Sequence, residues 1–161
     1  MSLLEFCGEL SAGLELSVEG LNKSSFLYAV SGVESSFGKN LGPRVEPAYS
    51  PGGIYFENAH VRDMYSLYGS DAASSFGPWQ IMFIVASELG YSGPPKDLSL
   101  KEICGPFVVR KFNLISRNGA NSVERLLDAW NTGSWRKGTP PLAYIAKFWN
   151  YYNSLEKGNL S

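Results

Sequence analysis

The stretch FLYAVSGVESSF, residues 26–37, decides how this 161-residue chain is read. Phe26, Val30, Val33 and Phe37 recur at steps of four, three and four, the spacing of one buried stripe on an α-helix. Glu34 stands beside that stripe and falls in the last turn before Gly38, an expected C-cap. There the negative end of the helix dipole and partial burial both disfavour a carboxylate. A carboxyl so placed is expected to hold its proton, as a general acid at neutral pH must. The competing reading is a solvated glutamate, or one paired with a neighbouring Lys or Arg. This helix alone does not choose between them.

Working outward, the length and the 44% hydrophobic content suit one well-filled core, so a single domain over residues 1–161 is expected. Charge is nearly balanced overall but unevenly spread. Residues 1–100 carry 5 basic and 11 acidic side chains and residues 101–161 carry 9 and 4, giving −6 and +5. The basic C-terminal third could help hold an anionic polymer or could be an ordinary solvated surface. Nucleic acid is not favoured, because no dense Lys/Arg patch interleaves with the aromatics. The opening MSLLEFCGELSAGLELSVEGL has no basic start and carries four glutamates, so no signal peptide is expected. No stretch approaches the ~18 apolar residues of a membrane span. Cys7 and Cys104 stand far apart without a CxxC context and read as reduced, semi-buried thiols. With His60 the only histidine, neither a metal site nor a cofactor is expected.

The periodicity predicts a mainly α chain. A first helix is expected over about residues 2–11, with Leu3, Leu4, Cys7 and Leu10 inward and Gly13 beyond it. Asn22, Ser24 or Ser25 can cap the helix that delivers Glu34. The Gly/Pro-rich segment 38–56 is long enough for a functional loop. Its Tyr49, Tyr55 and Phe56 suit either stacking on sugars or covering the core, and at most a small β-hairpin is expected in residues 41–56. Val61, Met64, Tyr65 and Tyr68 mark a third helix, with His60 on its surface and Gly69 at its end. GSDAASSFG reads as a polar loop, and Pro78 behind Gly77 as the first turn of a helix running to about Leu89. Ser99 with Glu102 reads as a capping box, and Gly105-Pro106 as a break before a central helix through Val108, Phe112 and Ile115. Asn121 with Glu124 can cap a helix through Trp130, followed by a turn at Asn131-Thr132-Gly133 and a basic loop SWRKGT. Thr139 is expected to cap a last helix with Ile145, Phe148, Trp149 and Tyr152 inward.

Four stretches, taken in order, resemble the goose-type lysozyme and soluble lytic transglycosylase family. They are Glu34-Ser35, Gly77-Pro78-Trp79-Gln80-Ile81, Ala129-Trp130-Asn131-Thr132-Gly133 and Tyr144-Ile145-Ala146-Lys147. They match that family's Glu-Ser, G-x-x-Q-[IL], A-[YW]-N-x-G and Y-[IV]-x-K patterns over about residues 24–152. Each is weak alone, and their order and spacing carry the likeness. Two departures stand out. Pro140-Pro141-Leu142-Ala143 replaces the E-T-R stretch many transglycosylases carry before the late tyrosine. GPRVEPAY with SSFGPWQIM also looks like phage-type N-acetylmuramidases.

The resemblance implies a lysozyme-like α-helical domain that cleaves the β-1,4 bond between N-acetylmuramic acid and N-acetylglucosamine in peptidoglycan. Glu34 would be its acid/base. Gln80 and Met82 would line the sugar cleft, Trp130, Asn131 and Tyr144 would lie near the reacting bond, and Ser50 would match a serine of the intervening loop. A lytic transglycosylase needs no second carboxylate, whereas a hydrolytic muramidase needs one at ~5–5.5 Å or ~6.5–9.5 Å depending on stereochemistry. Glu46, Glu57, Asp63 and Asp71 are the candidates, Glu46 foremost because of its motif-like loop. A chitin- or chitosan-cleaving relative and an inactive glycan-binding module remain as alternatives. The expected partner is the peptidoglycan glycan strand, met by a leaderless monomer of phage or bacterial origin acting on the bacterial wall, in the periplasm or outside the cell.

Overall fold

Seven helices and three short strands, in the order αα, β, α, ββ, αααα, make up the described part of the chain. The structure is a computed structural model that describes residues 1–133 and 141–159. It is mainly helical with a small antiparallel sheet, as the periodicity predicts. The helices are α1 (Leu3–Ser11), α2 (Lys23–Ser35), α3 (Ala59–Tyr68), α4 (Phe83–Glu88), α5 (Lys101–Arg117), α6 (Val123–Thr132) and α7 (Leu142–Glu156). The strands are β1 (Arg44–Val45), β2 (Ser74–Phe76) and β3 (Ile81–Met82), with β2 in the middle. The chain divides into two compact units: Met1–Val33 with Val109–Ser161, and Glu34–Val108. The boundaries fall inside α2 and α5.

In the first unit, α1 begins with a capping box in which Ser2 accepts from the Glu5 N–H and Glu5 reaches back to the Ser2 N–H. The segment after α1 is tied to α5. Asn113 accepts from the Glu15 N–H at 2.8 Å and donates to the Gly13 carbonyl at 2.9 Å. Asn22 caps α2, its side chain accepting from the Ser25 N–H. The aromatic core gathers around Phe26, whose ring meets Phe112 edge-on at 5.0 Å and Phe148 at 5.5 Å. Residues 25–32 of α2 are all buried. The helix is therefore enclosed on every side rather than striped, and Val33 and Phe37 are only half-buried.

In the second unit, Asn58 caps α3 and Gly69 ends it at φ 64°. Residues 72–81, which read as a polar loop and a helix start, are instead fully buried, running from the end of a 3₁₀ turn at Ala73 through strand β2 and a tight turn into β3. Phe76, Trp79 and Ile81 supply large apolar side chains to the interior, the alanines and serines between them are small, and the polar atoms bond locally, Ser74 Oγ donating to the Ser70 carbonyl at 2.7 Å. The hairpin expected within residues 41–56 is therefore misplaced. Only Arg44–Val45 of that segment is strand, and it pairs with β2.

Further corrections are local. Pro78 sits in the β2–β3 turn, and α4 starts only at Phe83. Pro106 lies inside α5 and does not break it. It is the sixth residue, so one backbone bond is forfeited near the helix start while the remaining turns continue. Ser122, not Asn121, caps α6 by accepting from the Arg125 N–H, and Asn121 instead accepts from the Arg125 guanidinium. Helix α6 runs on through Asn131 and Thr132 to a left-handed Gly133 at φ 91°, so the predicted turn is its C-cap. The Thr139 cap, Pro140 and the SWRKGT loop lie outside the described residues.

Candidate functional site

Helix α2 ends at Ser35, and the next three residues, Ser36, Phe37 and Gly38, have φ of 52°, 60° and 83°. Two non-glycine residues in the left-handed region cost ~1–2 kcal/mol each, so the surrounding bonds must hold this turn in place. Ser35 supplies them. Its hydroxyl, 2% exposed, donates to the Pro78 carbonyl at 2.6 Å and accepts from the Gly38 N–H at 2.8 Å. One side chain thus fastens the end of the Glu34 helix to the Gly77–Gln80 turn.

That turn is itself tightly specified. Gly77 has φ 84°, and a Cβ there would come within 2.5 Å of the Leu98 carbonyl oxygen and 3.0 Å of Cys104 Sγ. Gln80 is held at φ 50° and is 8% exposed. Its amide donates to the Gly77 carbonyl and accepts from Ser75 Oγ, both at 2.9 Å. Gly42, at φ 84°, lets the backbone pass: a Cβ would meet the Ser75 carbonyl oxygen at 2.8 Å and Gln80 Nε2 at 3.2 Å.

Glu34, Asn40, Gly42, Pro43, Arg44 and Gln80 line a cleft of about 210 Å³. The Glu34 side chain is 11% exposed, and Arg44 Nη2 lies 3.3 Å from its Oε1. The pairing with a neighbouring cation, weighed for this glutamate at the outset, is thus present within the cleft. At less than the ~300–1,000 Å³ of typical small-molecule sites, the cleft suits part of one ligand unit.

The register brings further predicted residues to the same place. Arg44 pairs with Ser75 and Ser75 with Met82, so these three side chains share one face of the sheet. Glu46 follows two residues after Arg44 in extended backbone, φ −102° and ψ 114°, and alternation puts its side chain on that face too. Its N–H continues the ladder to the Ala73 carbonyl at 2.9 Å. The other carboxylate candidates are less suited. Glu57 is exposed and 3.9 Å from Arg62, Asp71 lies 3.9 Å from Lys96, and Asp63 is exposed on α3.

Ser50 closes the short 3₁₀ turn Pro47–Tyr49 and donates to the Glu46 carbonyl at 3.2 Å. Tyr49 and Tyr55 lie together, ring centroids 4.9 Å apart. Burial, with Tyr55, Glu88 and Glu46 nearby, pushes the Tyr49 phenol above its ordinary value. His60 is more than a surface residue. Its Nε2 lies 2.8 Å from Ser87 Oγ, whose proton goes to the Ile84 carbonyl, so Nε2 is the donor to Ser87.

Trp130, Asn131 and Tyr144 belong to the first unit. Trp130 is stacked on Phe112 at 4.4 Å and 13°, Asn131 is exposed in the last turn of α6, and Tyr144 is half-buried in the first turn of α7. Cys7 and Cys104 are buried free thiols, each pushed up to about 12 by burial, which removes them as nucleophiles at neutral pH.

Sequence reading missed Arg44, Asn40 and Gly42. The signals for the first were the alternation Arg44-Val45-Glu46 and its place in GPRVEPAY, the stretch that looks like phage-type muramidases. Among the described residues, no group of three or more His, Cys, Asp or Glu could hold a metal ion, and no helix is long and apolar enough to cross a membrane. No family model matches the chain, and neither curated proteins nor solved structures give a significant match.

Proposed function

We propose that this chain is a peptidoglycan-cleaving glycosidase that cuts the β-1,4 bond between N-acetylmuramic acid and N-acetylglucosamine, with Glu34 as general acid. One observation carries the reading. A carboxyl only 11% exposed, at the end of a helix fastened by Ser35 to the Gly77–Gln80 turn, opens on a polar cleft also lined by Asn40 and Gln80. The glycosidic oxygen is a poor leaving group, so proton donation from Glu34 would accompany positive charge growing on the sugar ring. In the lytic route Glu34 then acts as base on the sugar's own hydroxyl and an anhydro product forms. Trp130, Asn131 and Tyr144 enter the proposal on resemblance alone.

A second reading, hydrolysis with Glu46 activating water, is favoured by the strand alternation that puts Glu46 on the face of Arg44. The test is clearing of a purified cell-wall suspension by wild type and by Glu34→Gln. Clearing by wild type alone supports the proposal. Tight binding without clearing points to a glycan-binding module, and turnover confined to chitin or chitosan oligomers points to that substrate class.

A further inference from the structure

The segment after β1 folds back on itself and fixes two tyrosines side by side. Tyr49 ends the 3₁₀ turn Pro47–Tyr49, and the Tyr55 N–H donates to the Ala48 carbonyl at 2.9 Å. Within the return, the Gly53 N–H donates to the Ser50 carbonyl at 2.8 Å and the Phe56 N–H to the Gly53 carbonyl at 3.1 Å. A Cβ on Gly53 would run into the Pro47 and Ala48 carbonyls, so this close approach needs glycine. Phe56 anchors the loop, meeting Tyr65 of α3 edge-on at 5.3 Å. Tyr55 does not follow it. It is 38% exposed and lies against Tyr49 at a centroid distance of 4.9 Å, and Ile54 beside it is 77% exposed. Of these aromatics, Phe56 covers the interior and the tyrosine pair reaches solvent.

What surrounds the pair narrows the ligand. Glu46 and Glu88 are among the neighbours of the Tyr49 phenol. Among the described residues, the phenols of Tyr49 and Tyr55 and both of these carboxylates have no hydrogen-bond or ion-pair partner. An apolar peptide laid here would bury those polar groups unmatched. A nucleic acid would bring its phosphates against two carboxylates. A neutral sugar ring matches both parts, its C–H face lying on an aromatic ring and its hydroxyls donating to the carboxylates. Because the loop is already set by its own bonds, little ordering is needed on binding. Arg44 lines the Glu34 cleft, and the five residues from there to Tyr49 span at most ~18 Å, within the length of a glycan of several rings. We propose that the Tyr49–Tyr55 pair is a second glycan subsite, stacking an uncharged ring of the same strand whose scissile bond enters the Glu34 cleft. This rests on the glycosidase reading and adds to it a distal contact that favours long strands over short ones.

The experiment titrates wild type, Tyr55→Ala, Tyr55→Trp and Glu88→Ala by calorimetry with N-acetylglucosamine oligomers of two and six rings and with oligo(dT). Wild type is expected to bind the six-ring oligomer about tenfold tighter than the two-ring one, with only the longer one reaching both places. Tyr55→Ala is expected to lose about tenfold for the six-ring oligomer, the worth of one stacked ring, and with it the length advantage. Tyr55→Trp is expected to restore both, since a larger flat ring serves as well. Glu88→Ala, at an exposed position of α4, is expected to lose about threefold with an unchanged urea midpoint. A six-ring oligomer that wild type does not bind, or that Tyr55→Ala binds unchanged, overturns the subsite, as do equal losses for both lengths. Oligo(dT) bound as tightly as the six-ring oligomer assigns the surface to nucleic acid and overturns it too. Length-dependent binding lost in Tyr55→Ala, without turnover of any glycan by wild type, leaves the subsite standing and removes the catalytic reading.

Discussion

Replacing Ser35 by Ala tests whether one hydroxyl joins the end of α2 to the Gly77–Gln80 turn. The substitution removes the 2.6 Å bond to the buried Pro78 carbonyl and the 2.8 Å bond from the Gly38 N–H. A buried carbonyl left without a donor costs ~1–3 kcal/mol, and the half-buried Gly38 N–H, which water can reach, adds about 1 kcal/mol. The expected loss is therefore about 3 kcal/mol, or roughly 6–12 °C in Tm for a chain of this length. Urea unfolding followed by fluorescence and far-UV circular dichroism measures it, with an unchanged slope showing that stability alone has moved. Ser36→Ala, one residue on and exposed, is the comparator and should stay within about 0.5 kcal/mol. A loss below about 1 kcal/mol for Ser35→Ala would refute the clamp.

Gly77→Ala should destabilise by about 3 kcal/mol, since a side chain at φ 84° is strained and its Cβ meets the Leu98 carbonyl oxygen at 2.5 Å; a change under about 0.5 kcal/mol in urea melts would mean the approach is not that close. Gly8→Ala, inside α1 with only Ser24 Oγ near the new Cβ at 3.8 Å, should stabilise by about 0.5–1 kcal/mol, and a lower midpoint would contradict this. Cys7 and Cys104 are pushed from 9.0 to about 12 in the folded chain, so the unfolded chain loses their protons first as pH rises. The stability they contribute is whole below pH 9 and lost between 9 and about 12, giving a decline of about 2–3 kcal/mol from pH 8 to pH 10. Urea melts at the two pH values check it, and an equally steep decline in the doubly Ala-substituted chain would rule the thiols out as its cause.

Helices were legible where local chemistry decides them. Asn22 before α2, Gly69 after α3 and the Val123, Leu126, Leu127 pattern of α6 each satisfy backbone groups or a core face within a few residues. Residues 72–81 were not legible, because Gly77-Pro78 opens a helix or a turn equally well. What selects the turn is tertiary, namely Ser35 beneath Pro78 and the Leu98 carbonyl against Gly77. Pro106 misled for the opposite reason, since a proline in the second turn of a 17-residue helix removes one bond among many. At the site, Glu34 and Gln80 were readable from their neighbours in sequence. Arg44 was not, because a single arginine in a Gly/Pro-rich segment carries no mark of the glutamate ten residues before it. Only the pairing of β1 with β2 brings the two together.

The claim that Glu34 breaks a glycan bond is tested most directly by mass spectrometry of the fragments released from purified peptidoglycan by wild type, Glu34→Gln and Glu46→Gln. The account predicts muramoyl fragments from wild type and none from Glu34→Gln. Anhydro ends that persist in Glu46→Gln mark the lytic route, and reducing ends that vanish in Glu46→Gln mark hydrolysis. Fragments released equally by wild type and Glu34→Gln, or by neither, would contradict it.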